Sequence, residues 1–158
     1  MIRRVESDDW KLLRDVRLRA LREDPDAFLA THDQEAAFAD EQWQARASQA
    51  HGASFVVEGE DGGEGLATGI IDSDPAVVFL VGMWVAPARR GDGTARELVR
   101  RVVDWARSRE ARLVCLSVEG ANDRAARLYE RCGFEETKDP PDLPYTPNDG
   151  NRFFVFEL

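Results

Sequence analysis

Residues 77–134 restrict the possible folds more than any other part of the chain, because they spell strand, basic glycine turn, amphipathic helix, strand and second helix. The run VVFLVGMWVAP at residues 77–87 is almost wholly apolar and ends at Pro87, the pattern of a strand buried on both faces. The turn Arg89-Arg90-Gly91-Asp92-Gly93-Thr94-Ala95 leads into a segment with apolar residues at Ala95, Leu98, Val99, Val102, Val103 and Ala106, which is helical spacing. A second strand at residues 113–119 and a helix beginning near Asn122 follow. Strand, helix and strand in this order make a crossover between parallel neighbours.

The flanking sequence predicts further α/β alternation. A short strand is expected at residues 3–6, and Ser7, Asp8 or Asp9 can cap a helix that turns Leu13, Val16 and Ala20 inward. Asp24-Pro25-Asp26 breaks it, and a helix over residues 40–50 places Trp43, Ala47 and Ala50 on one face. Strands at 54–58 and 66–71 form a hairpin around the GEDGGEG turn at 59–65. After a strand at 134–137, four prolines within the thirteen residues 138–150 demand an extended loop, and residues 152–158 supply a last strand. The expectation is a single α/β (α+β) domain over residues 1–158, with one parallel pair in an otherwise antiparallel sheet.

The turn before the first long helix invites an anion. A helix N-terminus carries unpaired N–H groups and about half a unit of positive charge, and glycine lets a ligand approach them. The turn matches neither the three-glycine dinucleotide fingerprint nor the lysine-containing phosphate loop. It resembles instead the acyl-CoA turn R/Q-x-x-G-x-G/A of the GNAT N-acetyltransferases, through Arg90, Gly93 and Ala95. Downstream, Asn122, Ala125, Leu128, Tyr129, Gly133 and Phe134 match that family's N-x-x-A-x-x-L-Y-x-x-x-G-F signature. The resemblance covers most of the chain in the family's element order. It implies the GNAT fold, a mixed, mostly antiparallel sheet of about seven strands flanked by about four helices, and acetyl-CoA as cosubstrate.

Composition is compatible with that reading. At 158 residues, 43% hydrophobic and 32% charged, the chain can bury one core. No apolar run approaches the ~20 residues of a membrane span, and MIRRVESDDW lacks the apolar core of a secretory signal, so a cytoplasmic protein without membrane partners is expected. Cys115 and Cys132 read as small core residues, and His32 and His51 lie too far apart for metal-ligand spacing, so no metal is expected. A net charge of −9 argues against nucleic acid as a partner. It favours a cationic, amine-bearing molecule weakly, and serves solubility equally well.

Acyl transfer to an amine needs a neutral amine, a donor for the developing oxyanion and a proton for the departing thiolate. The resemblance implies that backbone groups of Met83, Trp84 and Val85 pair with the pantetheine arm and polarise the thioester. Gly82 just before them fits a bulge that would turn those groups away from the sheet. The pyrophosphate would lie over Arg90, Gly91, Asp92, Gly93, Thr94 and Ala95, with Arg89 or Arg90 assisting. There the Asp92 carboxylate must face solvent or cap the helix. The resemblance makes Tyr129 the acid that protonates the thiolate, whereas its place among Ala125, Leu128 and Cys132 equally fits a core aromatic. Asn122 would cap the helix and touch the cofactor.

Where family members often carry a glutamate, five residues before Asn122, this chain has Ser117. Glu119, Asp72, Asp74, Glu35 and His32 read as surface residues and remain as candidate bases, as does water. Residues 25–35, Trp84 and residues 138–150 are expected to line the acceptor site, with Phe28, Trp84 and Tyr145 able to form an aromatic wall. The implied activity is direct acetylation of a small-molecule amine in a ternary complex, and a homodimer is compatible with it. An N-terminal acetyltransferase of proteins or peptides, and a non-catalytic acyl-CoA-binding regulator, are the alternatives.

Overall fold

The computed structural model describes residues 1–48, 50 and 52–158; His51, paired above with His32, lies outside the described residues. Seven strands form one sheet: β1 (Ile2–Arg4), β2 (Gly52–Gly59), β3 (Gly62–Ile70), β4 (Val77–Val85), β5 (Leu113–Val118), β6 (Glu135–Thr137) and β7 (Arg152–Glu157). Their spatial order is β1-β2-β3-β4-β5-β7-β6. Every neighbouring pair is antiparallel except β4 and β5, which run parallel because a helix connects them.

The helices are α1 (Trp10–Glu23), α2 (His32–Ala36), α3 (Asp40–Ser48), α4 (Thr94–Ser108) and α5 (Asp123–Arg131). The count exceeds the expected four because of α2. Its signal is the Thr31-x-x-Gln34 capping box, in which the Gln34 N–H donates to Thr31 Oγ1 and the Thr31 N–H donates to Gln34 Oε1. α1 buries Leu13, Val16, Ala20 and Leu21 and ends at Asp24, before Pro25. In α3 Trp43 and Ala47 are buried, whereas Ala50 lies in a turn, exposed. On α5 the buried centre is Ala126 with Tyr129, so the inward stripe is rotated by one residue from the expected Ala125.

The two faces of the sheet carry different layers. α4 and α5 cover one, with Leu98, Val102, Ala126, Tyr129 and Phe134 packed on Val78, Leu80, Val114 and Leu116. α1 and α3 cover the other, against Val56, Leu66 and Trp84. Beyond them on that second face Val77, Phe79 and Cys115 meet Leu143 from the proline-rich loop rather than a helix.

The hairpin corrects one expectation. The turn between β2 and β3 is only Glu60-Asp61, and residues 62–65 belong to β3. Helices press on two of the glycines in this stretch: a Cβ at Gly63 would stand 2.6 Å from Val16 of α1, and one at Gly65 would stand 3.2 Å from Leu98 of α4 as well as 2.9 Å from Val57 of β2. Glycine composition therefore marks close helix–sheet approach here, not a loop.

Candidate active site

The sheet opens where β4 and β5 part. Their pairing comprises Val77 with Leu113, Val78 with Val114 and Phe79 with Cys115, and it ends there although β4 runs on to Val85. Over the same stretch β4 gains a bulge against β3: Leu66 lies opposite Trp84 and Thr68 opposite Val81, so two steps on β3 span three on β4. The extra residue is accommodated at Gly82, whose φ of +63° is left-handed and costs a side-chain-bearing residue more than glycine. Side-chain alternation resets across it, with Val81 on the α1 side, Met83 on the α4 side and Trp84 back on the α1 side. The backbone of Met83, Trp84 and Val85 consequently has β3 on one edge and, among the described residues, no strand on the other, the Val85 carbonyl being taken by Arg90 Nε. That is an edge onto which an extended polar arm can pair.

The turn after β4 leaves backbone donors open, though its charged side chains are already engaged. Gly91 and Gly93 are left-handed at φ +82° and +90°, and nothing lies within 4 Å of where their side chains would stand. The first intrahelical bond of α4 is donated by Glu97 N–H to Gly93 O, leaving the Ala95 and Arg96 N–H groups without helical partners. Asp92 takes one of the two placements expected of it and caps the helix, its Oδ1 accepting from the Thr94 N–H at 2.9 Å. That hydrogen bond and the nearby Arg89 charge hold its carboxyl below the ordinary range.

Arg89 donates to Glu64 Oε2 at 2.6 Å and lies 3.8 Å from Asp92. Arg90 donates through Nε to Val85 O and through Nη2 to Asp24 Oδ2, at 3.1 and 2.9 Å. Asp24 also accepts the Trp84 Nε1–H at 2.6 Å, so it ties the end of α1 to the end of β4 and to the turn. Both arginines therefore brace the turn through carboxylates, with their remaining N–H groups left for a ligand. No periodicity signalled Asp24; its place before Pro25 marked it only as a helix stop.

Tyr129 is 6% exposed and meets Phe134 edge-on, ring centroids 5.9 Å apart. Burial, with a smaller contribution from the Cys132 thiol, pushes its phenol well above the ordinary value, so the hydroxyl keeps its proton near pH 7 and is a weaker acid than a free phenol. Asn122 caps α5 as expected, its Oδ1 accepting from the Ala125 N–H at 3.1 Å.

Four of the five side-chain candidates for the base have other tasks, and the fifth, Asp72, stands exposed after β3. Ser117 Oγ pairs with the Tyr145 hydroxyl at 2.9 Å, fastening the proline-rich loop to β5. Glu119 accepts weakly from Asn148, Asp74 caps the β3–β4 loop at Ala76 and His32 lies beside Asp33 at the exposed start of α2. Glu35 is no surface residue: it is 3% exposed and clamped between Arg17 and Arg46. Burial alone would raise its pKa, but hydrogen bonds and charge from the two arginines more than reverse this and make it a weaker base than usual.

Beside the bulge, on the α1 side of the sheet, lies a cleft of about 510 Å³. Arg17 of α1, Trp43 and Arg46 of α3, Ser54 and Thr68 of the sheet and Gly82 itself are among its lining. The hydroxyls of Ser54 and Thr68 bond each other at 2.7 Å on its floor. The expected aromatic wall is not assembled. Trp84 is buried against α1, Tyr145 is tied to Ser117, and Phe28 lies under the Arg17 guanidinium at 4.9 Å. Arg17 and Arg46 are the functional candidates that sequence reading missed. A signal existed for the first: Arg17 sits four residues after Leu13 and four before Leu21, a charge inside a buried helical row.

Known proteins with this arrangement can now be compared. The profile of the Acetyltransferase (GNAT) family matches residues 16–134. Aminoglycoside N(6')-acetyltransferase type 1 of Salmonella typhimurium is 31% identical over 96 residues, 56% of this chain and 66% of that relative. Streptothricin acetyltransferase of Streptomyces lavendulae is 34% identical over 91 residues, 57% of this chain and 48% of that relative. The chain thus spans just under two thirds and about half of these relatives' lengths. Among solved structures, an acetyltransferase of the GNAT family from Streptococcus pneumoniae superposes with a TM-score of 0.80 at 16% identity, over 98% of this chain and 96% of that one. The yncA protein of Salmonella typhimurium, solved with its cofactor acetyl-CoA, superposes at 0.71 and 21% identity, over 100% and 93%. Profile, fold and both sequence signatures agree, and the chain belongs to the GNAT family of acetyltransferases.

Proposed function

We propose that this protein transfers the acetyl group of acetyl-CoA to the amine of a small molecule by direct attack within a ternary complex. The observation that carries the reading is the parting of β4 from β5 next to an open glycine turn at a helix N-terminus: an unpaired strand edge for the amides of a pantetheine arm, then backbone donors for a pyrophosphate. The site fits such a ligand because Gly91 and Gly93 leave its approach clear, while Asp92 turns its carboxylate onto Thr94.

When bound, acetyl-CoA supplies an activated acyl thioester. The strand edge of Met83, Trp84 and Val85 that no neighbouring strand covers holds and polarises its carbonyl. Gly91, Gly93, Ala95 and Arg96 offer backbone N–H groups to the phosphates, with the Thr94 N–H held by Asp92, and Arg89, Arg90 and the free amide of Asn122 add donors around them. Tyr129, a phenol that keeps its proton near pH 7, gives it to the leaving sulfur. With Ser117 in place of a carboxylate and Glu35 held ionised by arginines, water takes the proton of the amine. The cleft beside Gly82 has the volume usual for small-molecule sites, which favours a small acceptor over a polypeptide.

Acetyl-CoA should raise the melting temperature in proportion to the logarithm of its concentration, and Gly93→Glu should abolish the rise by putting a carboxylate in the phosphates' approach. No shift of the wild-type protein at millimolar acetyl-CoA would refute the reading. Turnover is read as thiol released in the presence of an amine panel.

A further inference from the structure

The charge of the acceptor cleft is opposite in sign to that of the chain. The whole protein carries −9, yet among the described residues the charged side chains lining the cleft are Arg17 and Arg46. The carboxylate between them does not face the cleft: Glu35 is buried, its Oε1 accepting from Arg17 Nε and Arg46 Nη1 and its Oε2 from Arg17 Nη2. Two guanidiniums against one carboxylate leave one positive charge in surplus in a concavity, where a low-dielectric wall strengthens its field.

The surplus is aimed. Arg17 Nη1 is the nitrogen that Glu35 leaves unused, and it stands 3.4 Å from the point where a side chain at Gly82 would begin. A charged double donor therefore adjoins the bulge that positions Met83 and Trp84. Arg46 bonds Glu35 through Nη1 alone, which keeps its Nε and Nη2 available. Glu35 and the stacking of Arg17 on Phe28 and of Arg46 on Trp43 hold both guanidiniums in place, so little ordering is needed when a ligand arrives.

Resting on the acetyl-transfer reading proposed above, we infer that the acceptor is a small amine that also carries an acid group, with Arg17 and Arg46 binding the acid and the amine left beside Gly82. The closeness of Arg17 Nη1 to the bulge puts amine and acid only a few bonds apart, as in an α-amino acid or an aminoalkyl phosphonate. The amine nitrogen forms the C–N bond, the C–S bond breaks, the sulfur takes a proton from Tyr129 and the amine's own proton leaves to water. A polyamine is disfavoured, because its second ammonium would face a guanidinium without a carboxylate in the lining.

Matched acceptors test this: an α-amino acid, its carboxamide, the corresponding aminoalkyl phosphonate and spermidine, each with acetyl-CoA, measured by thiol release. The acid is expected to exceed its carboxamide by roughly 10- to 100-fold in kcat/KM, the range of a charge-assisted bidentate contact. Comparable turnover of the phosphonate assigns the preference to the anion, and its absence assigns it to the carboxylate; either supports the inference. In Arg46→Met and in the double variant Arg17→Met/Glu35→Gln, which leaves no buried carboxylate unpaired, the acid-to-carboxamide ratio should fall toward one. Equal turnover of acid and carboxamide, preference for spermidine, or no turnover of any acceptor by a protein whose melting temperature acetyl-CoA still raises overturns the inference alone. Absence of that acetyl-CoA shift overturns the acetyl-transfer reading with it.

Discussion

Replacing Glu35 by alanine should be among the most costly single substitutions on this side of the sheet, and its size can be worked from the contacts. The carboxylate accepts three hydrogen bonds of 2.9 to 3.1 Å from two guanidiniums. Its own side chain is 4% exposed and that of Arg17 16%, so removing it strands a largely buried cation. Breaking a buried pair from one side costs about 3–5 kcal/mol. Arg46 is 41% exposed and regains water, which places the expectation at the lower end, about 3 kcal/mol. At roughly 2–4 °C per kcal/mol for a chain of this length, the melting temperature should fall by about 6–12 °C.

Removing both partners in Arg17→Met/Glu35→Met should restore most of the loss, because the penalty belongs to the unpaired charge. The pH dependence follows in sign. Burial pushes the Glu35 carboxyl up and the two arginines more than reverse it, so its folded pKa is below the unfolded one. The pair's stabilisation is then complete above the unfolded value of about 4.3 and disappears as pH falls through the lower folded value. Thermal melts of wild type and Glu35→Gln should converge on acidification through that window. A loss under about 1 kcal/mol for Glu35→Ala at pH 7, or melting curves that stay parallel into acid, would show that the cluster is solvated and the reasoning wrong.

Other substitutions probe the cofactor side. Gly82→Val places a branched side chain at φ +63°, 3.4 Å from Arg17, and should cost about 1–3 kcal/mol by chemical denaturation while lowering kcat/KM far more than stability, since it displaces the Met83 and Trp84 edge. Asp92→Asn keeps the helix cap but removes a negative charge beside the phosphates, so calorimetric titration should show acetyl-CoA binding about two- to five-fold tighter; unchanged or weaker binding would put the phosphates elsewhere. Tyr129→Phe retains the buried ring and removes the proton, so kcat should drop by on the order of 10²-fold with a near-native melting temperature, whereas near-native turnover would move the acid role to water.

The β4-to-α5 block was legible because its signals are local. A continuous apolar strand, helical spacing in Leu98, Val99, Val102 and Val103, and the Asn122 cap each act within a few residues, and all appear where their patterns place them. What escaped reading depends on partners distant in sequence. Gly63 and Gly65 looked like a turn because their meaning lies in Val16 and Leu98, which press on them. Glu35 looked like surface because its burial requires Arg17 on α1 and Arg46 on α3 to converge on it. The arginines of the turn were legible as charges at a helix N-terminus, but their carboxylate partners Asp24 and Glu64 lie 66 and 25 residues away.

The site sits where the sheet changes from antiparallel to parallel pairing, and one residue links the two events. Without the bulge at Gly82, β4 would keep its alternation and Trp84 would point toward α4, away from Asp24 and α1. With it, Trp84 returns to the α1 side, its indole N–H fastens to Asp24, and Asp24 in turn holds Arg90 at the mouth of the turn. The same left-handed glycine leaves room for Arg17, which a side chain would meet at 3.4 Å. The proposed cofactor turn and the proposed acceptor cleft are therefore both attached to α1, through Asp24 at its end and Arg17 in its middle. A change in how α1 packs on β3 would disturb both halves of the site together, which makes the core row of Leu13, Arg17 and Leu21 as much a part of the chemistry as of the fold.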